Sequence, residues 1–381
     1  MSIFSFEPCE LPPQLQTLRE EVRAFLEGFS SKRSSAQRAR SWDGYDPEFS
    51  RSLGARGWIG MTWPKHYGGS ERSALERYAV MEELLFAGAP VAAHWIADRQ
   101  SGPLLLRFGT EKHRQDIVPR ITRGELCFCI GLSEPDAGSD VAGICAKARE
   151  TERGWLLSGT KLWTTGGHHA DYMVGLFRTS GTASDRHRGL SQFLVDMRRP
   201  GITVRPLSDL TGGEHFNEIT FDDVLLTRDD LIGIKGEGWS QVMAELALER
   251  SGPERFLSSI QALVELIRAV SSQPSDEARV VIGRLVAGLV TLRKMSLSVA
   301  GTLQAGRDPM LEASVVKDLG TGFEQPLPEI VQALLAVEPD ESGSDLQKVL
   351  AHLIRMAPAY SLRGGSREIL RGIIARGLGL R

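Results

Sequence analysis

The spacing of apolar residues along this chain of 381 residues changes twice. Up to about residue 123 it is helical: in LQTLREEVRAFLEGF and ALERYAVMEELLFAG apolar residues recur three and four apart, with Gly or Pro nearby to stop each run. From Cys127 the period shortens to two, in GWLLSGTKLW, DYMVGLFRT, SQFLVDM, GITVRPL and NEITFDDVLL, separated by Gly, Asp and Ser turns. After the glycines of IKGEGW the helical period returns in SQVMAELALER, PERFLSSIQALVELIRAV, EARVVIGRLVAGLVTLRKMSLSVAGTL and SREILRGIIARGL. The expected fold class is α+β, in three consecutive domains: an N-terminal α-helical domain over 1–123, a middle antiparallel β domain over 124–238 and a C-terminal helical bundle over 239–381. The stretch VEPDESGSD is acidic and turn-rich, and is expected to be an exposed connection within the last domain.

A hydrophobic content of 41% and a charged content of 24% suit a globular protein with a sizeable core. The formal net charge of -3, with arginines scattered along the chain, gives no electrostatic case for a nucleic-acid or membrane-surface partner. No apolar run approaches bilayer length, and the start, MSIFSFEPCELPPQ, lacks a basic segment followed by an apolar one, so a cytoplasmic location is expected. Four cysteines are too few for a disulfide framework, and Cys127 and Cys129 sit in an apolar run, which reads as buried thiols. His168 and His169 are adjacent and would point to opposite faces of a strand, so no metal site is expected. No G-x-G-x-x-G follows a strand, which argues against a doubly wound nucleotide fold.

The segment GLSEPDAGSDVAG at 131–143 resembles the signature of the acyl-CoA dehydrogenase family. GTKLWTTGG at 159–167 resembles the family's second flavin segment, and HFNEITFDDV at 215–224 and GARGWIGMTWPKHYGG at 54–69 are similar to further parts of it, in the family's order. The resemblance implies a helical N-terminal domain, a middle β domain and a C-terminal four-helix bundle. It also implies FAD as cofactor and an acyl-CoA as substrate. A flavin lying against a β domain needs short polar groups on loops for its ring edge and pyrophosphate, and a flat wall beside the ring. By the resemblance, Ser133 and the backbone around Ile130 and Leu132 meet the pyrimidine edge, Ser139 the pyrophosphate, Thr165 the N5 region, and Trp163 flanks the ring. Gly138 lets the backbone approach the phosphates. Ser366 and Glu368, in a segment similar to the family's Gly-Thr-Ser-Glu-Ile run, are further cofactor contacts. Taken singly, each Ser or Thr is as readily a turn residue, and Trp163 as readily a core aromatic.

Removing a proton α to a thioester while the β-hydrogen leaves as hydride requires a carboxylate in a dry pocket. In many family members this Glu precedes a Gly-Thr or Gly-Ser pair near the C-terminus; here Gly364 stands in that place, in LRGGSREI, and glycine accepts no proton. A minority, including isovaleryl-CoA and long-chain acyl-CoA dehydrogenases, carry it on the first long C-terminal helix, directly before an Arg. This chain has Glu249 before Arg250 at that position, which makes Glu249 the expected base, with Glu245 one helical turn earlier as its rival. A helix-surface Glu paired with Arg250 is the structural alternative. By the same resemblance Arg250 lies near the thioester or pantetheine end of the substrate, and the backbone N–H of Gly364 polarises the thioester carbonyl.

Two segments through which symmetric family members reach a neighbour's flavin are missing: AVSSQPSDEAR and LLAVEPDESGSDLQ stand where Arg-x-x-Phe-Gly and Gln-x-x-Gly-Gly-x-Gly are expected. That pattern resembles the heterotetrameric acyl-CoA dehydrogenases of actinobacterial steroid side-chain degradation. It implies a second acyl-CoA dehydrogenase subunit as partner, an electron-transfer flavoprotein as electron acceptor and a bulky acyl group. Two alternatives stay open: a non-catalytic partner subunit, and a flavin oxidase or monooxygenase on the same fold.

Overall fold

The computed structural model describes residues 5–248, 250 and 252–380, the side chains of 246–248 excepted. The chain packs as two compact units, one of Met1–Gly44, Arg72–Pro90 and Glu249–Arg381, the other of Tyr45–Glu71 and Val91–Leu248.

The second unit is built on an eight-stranded sheet. Its strands are β1 (Phe128–Gly131), β2 (Lys147–Thr151), β3 (Gly154–Thr165), β4 (Tyr172–Arg178), β5 (Leu190–Asp196), β6 (Ile202–Leu207), β7 (Phe216–Leu226) and β8 (Leu231–Ile232). The order is β6-β7-β3-β2-β4-β5-β8, with β1 beside β4. The five period-two segments of the sequence become β3 to β7, and the long ladders between them are antiparallel. The sheet is nevertheless mixed, because β1 runs parallel to β4. One face of the strands supplies the core, in which Trp155, Phe177, Phe193 and Phe221 meet edge to face at 5.2–6.1 Å. Such aromatic pairs contribute about 0.5–1.5 kcal/mol each beyond their area.

Helices flank this sheet within the same unit. Pro47–Gly54 starts with Asp46 accepting from the Phe49 N–H and Pro at its first turn, a pre-organised helix start. Further on, Ala92–Ile96 runs into a π-helical turn, Ala97–Ser101, and then into Gly102–Phe108. Pro103 lacks the N–H that would bond the Arg99 carbonyl four residues back, and the chain takes the wider turn there. Gly238–Leu248 packs on β5, on the π-turn and on Gly102–Phe108.

In the first unit, Leu15–Ser30 and Ala74–Phe86 pack with the C-terminal helices. Leu75 and Tyr78 join Leu297 and Ala300 of the long helix Asp276–Gln304 in one apolar cluster. Above it Glu82 takes both arms of Arg293 at 2.6 and 2.9 Å. The remaining helices are Ile260–Val270, Met310–Glu324, Leu327–Leu335, Asp345–Tyr360 and Arg367–Gly377. The segment PERFLSSIQALVELIRAV, helical throughout by its period, is α-helical only over Ile260–Val270, with a 3-10 turn at Pro253–Arg255. The difference has a polar cause: the Ser258 N–H donates to the buried Glu324 carboxylate at 2.6 Å and the Ser259 hydroxyl to the Glu324 carbonyl at 3.0 Å, and these bonds replace helical ones. Among the described residues no helix is long and apolar enough to cross a membrane.

Candidate active site

The loop that follows β1 carries most of the residues singled out by sequence. Gly131 is required there, since a Cβ would lie 2.5 Å from the Met173 sulfur. The Ser133 carbonyl accepts from the Leu162 N–H at 2.9 Å, and the Leu132 carbonyl from Lys161 Nζ at 3.3 Å. Glu134 then turns inward, with its carboxylate 2.7 Å from Lys161 Nζ and accepting from the Cys145 N–H at 2.6 Å and the Ala146 N–H at 3.0 Å. Lys161 is fully buried, and burial pushes its ammonium down to about 8 against the opposing pull of Glu134. Further round, the buried Arg178 guanidinium donates to four carbonyls, those of Ala142, Ile144, Arg186 and Arg188, at 2.9–3.2 Å. Asp140 takes both arms of Arg186 at 2.5 and 2.7 Å.

The loop is thus held from inside while its outer edge stays open. Gly138 and Ser139 are exposed, Ile130, Leu132 and Ser133 are half-buried, and a Cβ built on Gly138 would meet nothing within 4 Å. Sequence reasoning quoted Glu134 and Lys161 inside motifs without giving them a role. The signal was present: a lysine at an inward position of a period-two strand needs a partner, and an acid in the adjoining loop is the simplest one.

The second flavin-like segment contains a bulge. The β3–β7 register shifts between Lys161 and Thr164, and Trp163 takes a left-handed backbone conformation, φ 58°. The inward–outward alternation is reset there. Thr164 is turned in, whereas Trp163 is 59% exposed and leans edge-on against Phe216 with ring centroids 6.0 Å apart. It is not a core aromatic. Left-handed, non-glycine backbone at a bulge is uncommon and clusters at functional sites. Thr165, next in the strand, is half-buried opposite Phe216. His168 Nδ1 lies 2.9 Å from Asn217 Oδ1 and His169 stacks on Tyr45 at 3.9 Å, so both histidines have polar or stacking roles after the strand. Among the described residues no group of three or more His, Cys, Asp or Glu could hold a metal ion. Cys127 and Cys129 are buried, and burial pushes the Cys127 thiol up to about 12.

In the helical unit, Glu249 lies outside the described residues. Arg250 is 3% exposed, and its Nε donates to the Gly364 carbonyl at 3.1 Å. Gly364 and Gly365 both have left-handed backbone, φ 71° and 98°. A Cβ on Gly364 would sit 3.0–3.3 Å from the buried Arg255 guanidinium. Arg363 donates to Ser258 Oγ at 2.6 Å and Glu324 Oε2 at 2.9 Å, with its guanidinium over Trp42 and Tyr360 at 4.4 and 4.5 Å from the ring centroids. Ser366 caps the helix Arg367–Gly377, accepting from the Ile369 N–H at 3.5 Å. Glu368 is exposed in that first turn, and bonds from its own backbone N–H and the Ser366 hydroxyl hold its carboxyl below the usual range. Glu245, the rival base, belongs to the other unit: it is 3% exposed and accepts from Gln192 Nε2 at 3.1 Å.

Comparison with known proteins bears on this arrangement. The model "Acyl-CoA dehydrogenase, N-terminal domain" matches residues 12–125, and "Acyl-CoA dehydrogenase, middle domain" matches 129–224. The chain is 32% identical over 368 residues to acyl-CoA dehydrogenase IpdE1 of Mycobacterium tuberculosis, covering 93% of this chain and 91% of that one. It is 28% identical to acyl-CoA dehydrogenase FadE29 of the same organism, covering 96% of each. Among solved structures, the ChsE4-ChsE5 complex from Mycobacterium tuberculosis superposes with a TM-score of 0.84 at 26% identity, covering 98% of this chain and 99% of that chain. The Tcur3481-Tcur3483 steroid ACAD superposes with a TM-score of 0.84 at 24% identity, covering 100% of this chain and 99% of that one, a likeness of fold.

Proposed function

Because this chain belongs to the acyl-CoA dehydrogenase family, we propose that it is the catalytic subunit of a two-component, FAD-dependent enzyme that dehydrogenates a bulky, steroid-like acyl-CoA at its α,β bond. The observation that carries the reading is the loop Gly131–Ala146, fixed from inside by the Glu134–Lys161 pair and Arg178, with its outer edge left to short polar residues beside an outward Trp163. Those residues suit FAD. Ser133 and the half-buried backbone of Ile130 and Leu132 are assigned to the pyrimidine edge, Gly138 and Ser139 to the pyrophosphate, Thr165 to the N5 region, Trp163 to the ring wall, and Ser366 and Glu368 to further cofactor contacts. Bound FAD supplies the acceptor for the β-hydride, chemistry that no side chain offers.

What this chain's residues do is bind, orient and move the α-proton. Glu249 is assigned the proton, since Gly364 cannot take it. Arg250, whose Nε fixes the Gly364 carbonyl, is assigned with Gly364 to the thioester end of the substrate. A second subunit is supported by the missing neighbour-facing segments, by an exposed apolar face carrying Ile267, Val280, Val286 and Val290, and by the paired name of the ChsE4-ChsE5 complex. A steroid-like acyl group is supported by the description of a variant of the Tcur3481-Tcur3483 steroid ACAD, to which this chain is 26% identical. The electron acceptor in this reading is an electron-transfer flavoprotein.

The test is Glu249→Gln in the enzyme co-purified with its partner. The amide fills the same space without accepting a proton, so the flavin stays bound while its anaerobic bleaching by acyl-CoA slows by about 100-fold or more. Bleaching at the wild-type rate removes Glu249 from the mechanism; fast reoxidation of the bleached enzyme by air would identify an oxidase instead.

A further inference from the structure

Inside the sheet unit, the helix Gly238–Leu248 turns a polar stripe towards its own core. Gln241 and Glu245 are four positions apart on this helix, hence on one face and about 6 Å apart along its axis. They are 1% and 3% exposed. Gln241 Nε2 donates to the Ile232 carbonyl of β8 at 3.0 Å, and Ile232 is the ladder partner of Gln192 in β5. Gln192, fully buried, donates its Nε2 to Glu245 at 3.1 Å. Three groups therefore converge around one end of the β5–β8 pair, and the π-turn Ala97–Ser101 packs on the same helix.

Both amides spend their N–H on an acceptor, which leaves oxygens turned into the seam. Gln192 Oε1 and Gln241 Oε1 have no hydrogen-bond partner, nor has the fully buried Ser101 hydroxyl of the π-turn. An unsatisfied buried oxygen costs about 1–3 kcal/mol, so a seam serving only to pack would favour Val or Leu here. The chemistry of the set is one-sided: two amide oxygens and a carboxylate accept, and only the serine can also donate. A hydrocarbon satisfies none of them, and a ketone only the serine. A hydroxyl suits the set, since its proton meets an acceptor and its oxygen can take the serine proton.

The Glu245 position is also four residues before Glu249 in the sequence. Resting on the acyl-CoA reading above, we infer that the acyl group this enzyme accepts carries a hydroxyl, recognised by Gln192, Gln241, Glu245 and Ser101. The residues are then specificity-determining for the acyl end, and the π-turn is the device that sets Ser101 against the helix.

The experiment compares two thioesters of one skeleton, 3-(4-hydroxycyclohexyl)propanoyl-CoA and 3-cyclohexylpropanoyl-CoA, on the enzyme co-purified with its partner. Expected is a preference for the hydroxylated compound of about 10-fold or more in kcat/KM from anaerobic flavin bleaching, the scale of hydrogen bonds that include a charged acceptor. Gln241→Val and Gln192→Met should each bring that ratio towards one, with circular dichroism identifying any variant that does not fold. Equal handling of both compounds by the wild type overturns the inference and leaves the seam to ordered water. Should neither compound bleach the flavin, the dehydrogenase reading fails for this skeleton, and the ratio of calorimetric Kd values still decides the hydroxyl. Binding of neither overturns both.

Discussion

The loop Gly131–Ala146 and the turn Arg363–Ser366 each present backbone that the chain must hold still, and they are held by opposite electrostatics. In the loop a carboxylate sits at the centre: Glu134 gathers Lys161 and two backbone N–H groups, and Arg178 ties down carbonyls further along. In the turn the centre is a glycine and the supports are cations, with Arg250 on the Gly364 carbonyl and Arg255 filling the space where a side chain would begin. The difference teaches why a base at position 364 is unsuited to this chain. A carboxylate there would be captured by Arg255, and a captured carboxylate is a poor proton acceptor.

The comparison breaks most visibly at Glu134. Glu134→Gln leaves Lys161 buried without its counter-charge, and we expect a loss of about 3–5 kcal/mol in urea denaturation. A pH series sharpens it. Lys161 has a folded pKa of about 8, below its ordinary 10.5. Between these values the unfolded chain holds the extra proton, so the penalty of burying the ammonium, complete below about 8, is relieved as pH rises. Without Glu134 the folded pKa falls further, and relief should begin at lower pH in the variant. A wild-type dependence in Glu134→Gln would show that the pair does not set it.

In the turn the effect is smaller. Gly364→Ala puts a Cβ at φ 71° against the movable end of Arg255, and about 1–3 kcal/mol is expected in the same assay. No change would mean that the turn relaxes freely. The smallest effect on stability is expected at the bulge of β3. Trp163→Gly removes left-handed strain and adds chain entropy to the unfolded state, two terms of about 1 kcal/mol that cancel. Flavin content and absorbance should nonetheless change, because the exposed indole serves something other than the fold. A large loss of stability with normal flavin would return Trp163 to a packing role.

How far these regions were legible in the sequence follows from the range of the interactions involved. The strands β3 to β7 were readable because alternation is local, and so was the signature loop, whose residues are contiguous. The β3 bulge was not: the period-two reading of GWLLSGTKLW carries no mark of the shift that reverses Trp163 and Thr164. Nor was the Ser258–Glu324 contact, 66 residues apart, that breaks a strongly periodic helix. The polar seam was hidden for a similar reason, since Gln192 and Gln241 read as outward residues of a strand and a helix until the two elements are packed together. Glu249 lies outside the described residues, so its assignment rests on its place before Arg250 in the sequence.

The division into two units has a consequence for synthesis. The sheet unit is complete once Leu248 has emerged, whereas Leu15–Ser30 and Ala74–Phe86 belong with helices that begin after it. Roughly 160 residues separate Pro90 from the first of their C-terminal partners, about 8 to 30 seconds at ribosomal speed. For that time Leu75 and Tyr78 lack the side chains of Leu297 and Ala300 that cover them in the finished protein. The nascent chain must carry its first helices past a neighbour that has already folded, which makes those helices the segment where chaperones are needed and where slow translation does harm.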